Sequence, residues 1–206
     1  KRSLENIYQY RNAEVNRRQE VVLLNLISKD WSFDIAPCFR TVEQYGKSFY
    51  LIPNGTGDWK KADPRIDKDR TIAINQQNNG NLLNLIRIIK YWNNRATMHT
   101  MSSYLLENIV LNHYKYRTDC SSFVDLSLAD IFNHISLAVH QVVPDPKGFQ
   151  GDLNNLTYEQ RISISTRANQ DYLKALEARR LEQNKDEQSS INKWRDIFGL
   201  EFPAYG

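Results

Sequence analysis

Trp31-Ser32-Phe33-Asp34-Ile35-Ala36-Pro37-Cys38-Phe39 alternates large apolar side chains with small or polar ones as far as Pro37. A period of two is the mark of a strand with one buried face. Asp34 opposes Phe33 and Ile35 in this alternation, so it belongs to the other face of the sheet. Upstream, Gln19 to Ile27 is rich in Val, Leu and Ile and reads as a buried strand, with Lys29-Asp30 as the turn between the two. Downstream, Phe49 to Ile52 is a third, short strand. Residues 4–18 fit either a short helix or an extended lead-in. Residues 53–71 hold Pro53, Gly55, Gly57 and Pro64 and read as a long polar loop.

The period then changes. Leu82, Leu85, Ile86, Ile89 and Trp92 recur at spacings of three and four, as on one face of a helix. Leu105, Leu106, Ile109, Val110 and Tyr114 predict a second helix. Leu128, Ile131, Phe132, Ile135 and Val139 predict a third, which Ser127 and Asp130 can cap. Thr157 with Gln160 is a capping box that opens a long helix to about Lys185. Ile191, Trp194, Ile197 and Phe198 predict a last short helix that Gly199 stops. Strands first and helices afterwards predict an α+β protein, a small sheet followed by a helical bundle.

Composition limits the function classes. The 206 residues are 41% apolar and 25% charged, an ordinary globular balance. The longest aliphatic run is Val21-Val22-Leu23-Leu24, too short for a bilayer, and Lys1-Arg2-Ser3-Leu4-Glu5 lacks the apolar core of a signal peptide. Cys38 and Cys120 are the only cysteines, which excludes a disulfide scaffold and predicts a reducing, cytoplasmic setting. Residues 1–95 hold 16 Lys/Arg against 10 Asp/Glu, and residues 96–206 hold 11 against 14. A basic first half beside an acidic second half fits an anionic ligand, or simple charge scatter.

Four groups of residues could carry chemistry. Asp34 on its strand suits a hard metal ion, or faces solvent at a strand edge. Arg87 and Lys90, three apart on one helix face, suit a polyphosphate, or form a solvated polar face. Ser102-Ser103-Tyr104 places hydroxyls and open N–H groups at a helix start, where an anion binds well; plain N-capping needs one serine. The loop Asn54-Gly55-Thr56-Gly57-Asp58-Trp59-Lys60-Lys61-Ala62-Asp63-Pro64 combines glycines with two lysines. Other signals fail. Gly46-Lys47-Ser48 lacks the first glycine of a P-loop, since position 41 is Thr41. Asp67-Lys68-Asp69 falls in a polar loop. His99, His113, His134 and His140 do not combine with the cysteines at zinc-ligand spacing. Cys38 reads as core.

In order along the chain, these pieces resemble the oligoadenylate-synthetase and cyclic GMP-AMP synthase superfamily, and among its members the bacterial, SMODS-type CD-NTases. Phe33-Asp34-Ile35-Ala36-Pro37-Cys38-Phe39 resembles the third-carboxylate strand. Leu85-Ile86-Arg87-Ile88-Ile89-Lys90-Tyr91-Trp92 resembles the helix with the triphosphate-binding lysine. Ser102-Ser103-Tyr104-Leu105-Leu106-Glu107 resembles the Ser-Tyr helix start, and Trp194 to Pro203 the closing motif of bacterial members. The matches run from about residue 20 to residue 203. One departure is large: the sequence has no Gly-Ser dipeptide, and no strand before Asp34 carries an Asp/Glu-x-Asp pair. The resemblance therefore implies the later part of such a protein. Residues 1–75 would be the remainder of the nucleotidyltransferase palm sheet plus a loop, and residues 76–206 a C-terminal helical domain.

The resemblance implies a nucleotidyltransferase that joins nucleoside triphosphates into a cyclic oligonucleotide second messenger for anti-phage signalling. Two Mg²⁺ (or Mn²⁺) ions held by three carboxylates would serve the phosphoryl transfer. It gives Asp34 the third carboxylate and the metal, Lys90 the donor triphosphate, and Ser103 the same phosphates. Tyr104 would stack on a nucleobase or pack between helices; Arg87 and Ser102 are secondary binding candidates. ATP, GTP or other nucleoside triphosphates are the implied substrates, with a preceding N-terminal segment or a regulatory protein as partner; no membrane partner is implied, and an RNA or DNA activator stays open. With two carboxylates missing, the isolated chain is expected to be inactive, and its sheet edges to invite self-association. A linear 2′–5′ or RNA nucleotidyltransferase is one alternative; a non-catalytic nucleotide- or protein-binding module is another.

Overall fold

A computed structural model describes residues 2–7, 13–18, 20–26, 31–43, 46 and 48–206. Two compact units divide it, residues 1–66 and 67–206. The Lys29-Asp30 turn, both ends of the Gln19–Ile27 segment and Lys47 lie outside the described residues.

The first unit opens with one helical turn, α1 (Arg2–Glu5), and holds two three-stranded antiparallel sheets. The first sheet has the order β1 (Glu14–Arg17), β2 (Val22–Asn25), β3 (Ser32–Ile35). Val15, Leu24 and Phe33 lie opposite one another in register, and Val15 and Leu24 are the buried pair. The next row is Asn16, Leu23 and Asp34, so Asp34 stands on the opposite, polar face, as alternation predicts. β1 was not legible because it carries a single apolar residue.

The second sheet has the order β4 (Phe39–Arg40), β5 (Tyr50–Pro53), β6 (Trp59–Ala62). The stretch read as one strand from Trp31 to Phe39 is thus split between two sheets. Pro37 lies at the break, where a residue without an N–H cannot continue a ladder. Cys38 follows it and is exposed, not core.

The long polar loop at 53–71 is also corrected, into a hairpin and a helix. β5 and β6 pair from Tyr50↔Ala62 to Pro53↔Trp59. Asn54 organises the turn: its Oδ1 accepts from Thr56 N–H at 2.9 Å and Asp58 N–H at 3.1 Å. Gly55 and Gly57 take φ of 86° and 103°, values that glycine adopts without a Cβ clash. The two glycines therefore serve the turn, and the Thr56 and Asp58 amides are turned onto Asn54. Helix α2 (Pro64–Gln77) starts with proline at its first position, and Asp63 accepts from Arg65 N–H at 3.2 Å. It lacks an apolar stripe, which hid it from a reading by period.

The second unit is helical: the rest of α2, then α3 (Leu82–Asn93), α4 (Ser103–Tyr114), α5 (Val124–Ala138), α6 (Tyr158–Gln183) and α7 (Glu187–Phe198). The predicted apolar faces are its core. Leu82, Leu85, Ile86, Ile89 and Trp92 of α3 are buried together with Leu105, Leu106, Ile109, Val110 and Tyr114 of α4 and Leu128, Ile131, Phe132 and Ile135 of α5. α6 packs on α5 and α7 through Ile164, Ala168, Asp171, Ala175 and Ala178. The Thr157–Gln160 capping box forms in full.

The predicted Ser127 cap does not form, because α5 begins at Val124, three residues earlier. Ser127 lies inside the helix, and its Oγ accepts from Ser121 N–H at 3.0 Å, which fixes the preceding loop. Gly199 ends α7 with φ of 91°, and a Cβ there would come within 3.1 Å of Arg95 Nη2. No helix among the described residues is long and apolar enough to cross a membrane.

Candidate functional site

α3 presents Lys90 to α4. Its Nζ donates to Glu107 Oε2 at 2.5 Å, and the two side chains are 35% and 28% exposed. Glu107 ends the Ser102–Glu107 motif, so the two motifs meet in one ion pair. Arg87 points elsewhere. It is exposed, donates to Asn84 Oδ1 at 3.0 Å, and lines a ≈ 770 Å³ cavity together with Phe123, Trp194, Phe198 and Phe202. The cavity is large enough for a small molecule or a peptide anchor.

The start of α4 is built as a helix N-terminus should be. Ser102 is the N-cap, and its Oγ accepts from Leu105 N–H at 3.2 Å. Leu106 N–H bonds to Ser102 O at 3.1 Å and begins the helix ladder. Among the described residues this leaves the Ser103 and Tyr104 N–H groups as the open donors. Ser103 is exposed beside them. These donors and Lys90 are groups that bind phosphate.

Tyr104 is held from two sides. Its hydroxyl lies 2.9 Å from Asp67 Oδ1 and 3.1 Å from Asp145 Oδ1, and Lys147 Nζ contacts it closely. Lys147 Nζ also lies 4.2 Å from the ring centroid. Burial, then the neighbouring Asp67, pushes the Tyr104 hydroxyl far above its ordinary pKa, so it stays protonated. Sequence reasoning set Asp67 aside as a loop residue and did not notice Asp145 or Lys147. No spacing rule links positions so far apart; the hidden helix α2 was the missing signal.

Asp34 belongs to the first unit and is exposed on β3. Among the described residues no three His, Cys, Asp or Glu side chains come together in a way that could hold a metal ion. One carboxylate on an open sheet face does not fit a metal centre, so no chemical step is assigned to a metal here.

A second polar cluster joins α4 and α5. Asp130 Oδ2 meets His113 Nε2 at 2.7 Å and Arg117 Nη2 at 3.2 Å, and the His113 and His134 ring centroids are 4.1 Å apart. Burial, and then His113, hold the His134 pKa down to about 4, against an ordinary 6.5. Between these values the unfolded chain binds more protons than the folded one, so stability falls as pH falls. The thermal midpoint is expected to drop from about pH 6.5 to about pH 4, and His134→Gln to flatten that part of the profile. Identical slopes in both proteins would assign the acid sensitivity to other groups.

Known proteins share the sequence and fold of this chain. Over 206 residues, all of this chain, it is 44% identical to a probable cyclic nucleotide synthase of Bacillus cereus (strain VD146), and covers 62% of that protein. It is 24% identical over 204 residues to a cyclic AMP-AMP-AMP synthase of an Acinetobacter species, 94% of this chain and 56% of the relative. Vibrio cholerae DncV cyclic AMP-GMP synthase, solved with nonhydrolyzable GTP, superposes with a TM-score of 0.75 at 13% identity, over 98% of this chain and 55% of DncV. E. coli MS115-1 CdnC, solved with HORMA-deltaN, superposes with a TM-score of 0.74 at 14% identity, over 92% of this chain and 65% of CdnC.

The chain has the CD-NTase fold.

The α+β class read from the sequence is that of the CD-NTases, and the family resemblance holds along the chain. The chain spans less than two thirds of the length of the curated relatives it matches. No protein-family model matches it.

Proposed function

We propose that the protein carrying this chain joins nucleoside triphosphates into a cyclic oligonucleotide that acts as a second messenger in anti-phage signalling. The observation that carries this reading is the 44% identity, over every residue of the chain, to a probable cyclic nucleotide synthase. The geometry of the second unit supports it. A triphosphate approaching α4 would meet the Ser103 hydroxyl and the open Ser103 and Tyr104 N–H groups, while Lys90 would leave Glu107 for a phosphate oxygen. Phosphoryl transfer asks the protein for positioning and charge stabilisation more than for covalent chemistry, and these residues supply both. Asp34 is the proposed catalytic carboxylate, Tyr104 the proposed base contact, and Arg87 and Ser102 secondary positions. ATP and GTP are the proposed substrates, and a regulatory protein the proposed partner, as the CdnC structure with HORMA-deltaN would parallel.

The test is product analysis. The full-length gene product is incubated with the four nucleoside triphosphates, and the products are treated with phosphatase. A phosphatase-resistant cyclic oligonucleotide, lost in Asp34→Asn, is the expected result. A linear product with a terminal triphosphate would favour a 2′–5′ or RNA nucleotidyltransferase. Nucleotide binding without turnover, indifferent to Asp34→Asn, would favour a binding module.

A further inference from the structure

The geometry points to Lys147 as a positioning residue that, together with Asp145, locks Tyr104 and the start of α4 in the orientation that receives a nucleotide. This rests on the nucleotide-binding reading of α4.

Lys147 lies in the connection between α5 and α6, which is internally fixed. Pro144 and Asp152 form a bridge, and Asp145 N–H bonds to Gly151 O at 2.8 Å. The Asp145 side chain is fully buried. It accepts from the N–H groups of Lys147 at 3.2 Å, Phe149 at 3.0 Å and Gln150 at 3.1 Å. These bonds hold its carboxyl below the usual range, against the opposing effect of burial. Asp152 ties the far end, accepting from Val143 N–H at 2.9 Å and Asn154 N–H at 2.8 Å. The segment is therefore a rigid platform rather than a slack loop.

From this platform Lys147 turns back onto α4. Its side chain is 8% exposed, and its ammonium faces Asp67 Oδ2 at 2.8 Å, Asp145 Oδ1 at 3.7 Å and the Tyr104 hydroxyl. Of the three N–H donors of a lysine, two find hydrogen-bond partners, in Asp67 and the Tyr104 hydroxyl, while Asp145 Oδ1 attracts the charge from 3.7 Å. The ammonium is nearly buried and turned onto these groups, so the arrangement favours positioning over substrate contact. Tyr104 has one hydroxyl proton. It donates this to Asp67 or Asp145 and accepts from Lys147. The ring is thus pinned at its hydroxyl end, where the ammonium lies.

Buried ion pairs are a poor source of stability, because desolvation offsets most of their attraction. What such a network supplies is a fixed geometry, and this one is spent on a tyrosine in the first turn of α4, next to Ser103. Arg70 completes the surroundings by donating to Asn108 Oδ1 at 2.8 Å and Asn112 Oδ1 at 2.6 Å on the same helix. Without Lys147, the hydroxyl would sit between two carboxylates and lose the cation bonded to it, with Arg70 the remaining positive charge nearby. Ring and helix start would then be free to reorient before each binding event, which weakens affinity without touching the chemistry.

The experiment compares steady-state kinetics of the full-length gene product with Lys147→Met, Lys147→Arg, Tyr104→Phe and Lys90→Ala. Lys147→Met is expected to raise the nucleoside triphosphate KM about tenfold with kcat within about twofold. Lys147→Arg is expected to restore most of the loss. Tyr104→Phe keeps the ring and the fold but removes the lock, and is expected to match Lys147→Met; it decides the matter if Lys147→Met does not fold. KM unchanged in Tyr104→Phe and Lys147→Met, but raised in Lys90→Ala, would overturn the positioning role alone. KM unchanged in Lys90→Ala as well would overturn the nucleotide reading, and the positioning role with it.

Discussion

Asp171→Ala is expected to destabilise the protein by about 3–5 kcal/mol, the range for removing one partner of a buried ion pair. Asp171 is completely buried on α6. Its Oδ2 accepts from Trp92 Nε1 at 2.8 Å and Arg167 Nε at 2.6 Å, and its Oδ1 lies 3.4 Å from Lys174 Nζ. Trp92 is itself fully buried on α3, with its ring centroid 5.1 Å from that of Phe132. One carboxylate thus joins the end of α3 to the middle of α6. Alanine would strand the indole N–H and the largely buried Arg167 guanidinium, and would open a small cavity beside the tryptophan. Asp171→Asn keeps an acceptor for Trp92 but loses the charge and turns its NH2 toward Lys174, the more exposed partner, so its expected cost is smaller, about 1–3 kcal/mol. Urea unfolding of the three proteins checks this. A loss below about 1 kcal/mol for alanine would mean that both donors find other acceptors.

The second large effect concerns affinity. Lys90→Ala in the full-length gene product is expected to weaken nucleoside triphosphate binding about 10- to 100-fold, the equivalent of one charge-assisted contact. Glu107 makes the direction testable twice. In the structure it competes for the lysine through a 2.5 Å ion pair. Glu107→Gln weakens that competitor and is expected to tighten binding by a few-fold. Both effects should shrink with added salt, since the pair is partly exposed. Titration with a nonhydrolysable triphosphate at two ionic strengths measures all of this. Unchanged affinity in Lys90→Ala would remove the phosphate role from α3.

The legible parts of the fold are those where one apolar face meets a core. α3, α4 and α5 were found through Leu85, Ile109 and Phe132 and their neighbours, because burial imposes the helical period on the sequence. Where structure is held by polar groups, period gives nothing. α2 is marked only by Asp63-Pro64 at its start, and β1 has Val15 alone. α6 was found through its capping box, yet its buried stripe of alanines and Asp171 passed unnoticed, because alanine carries so little hydrophobic signal. Motif order led to Lys90, Ser103 and Tyr104. The partners that fix them, Glu107, Asp67, Asp145 and Lys147, come from three different connections and elements, and only the fold brings them together.

Gly199 helps to shape the cavity beside Arg87. The chain can leave α7 at φ of 91° and run on to Glu201, Phe202 and Pro203, which form one wall of that cavity, while the glycine leaves room for Arg95. Every amino-acid replacement at this position adds a Cβ in a backbone region that side chains avoid. The wall and the glycine are therefore coupled: a side chain at position 199 strains the backbone that carries the wall and crowds the Arg95 guanidinium.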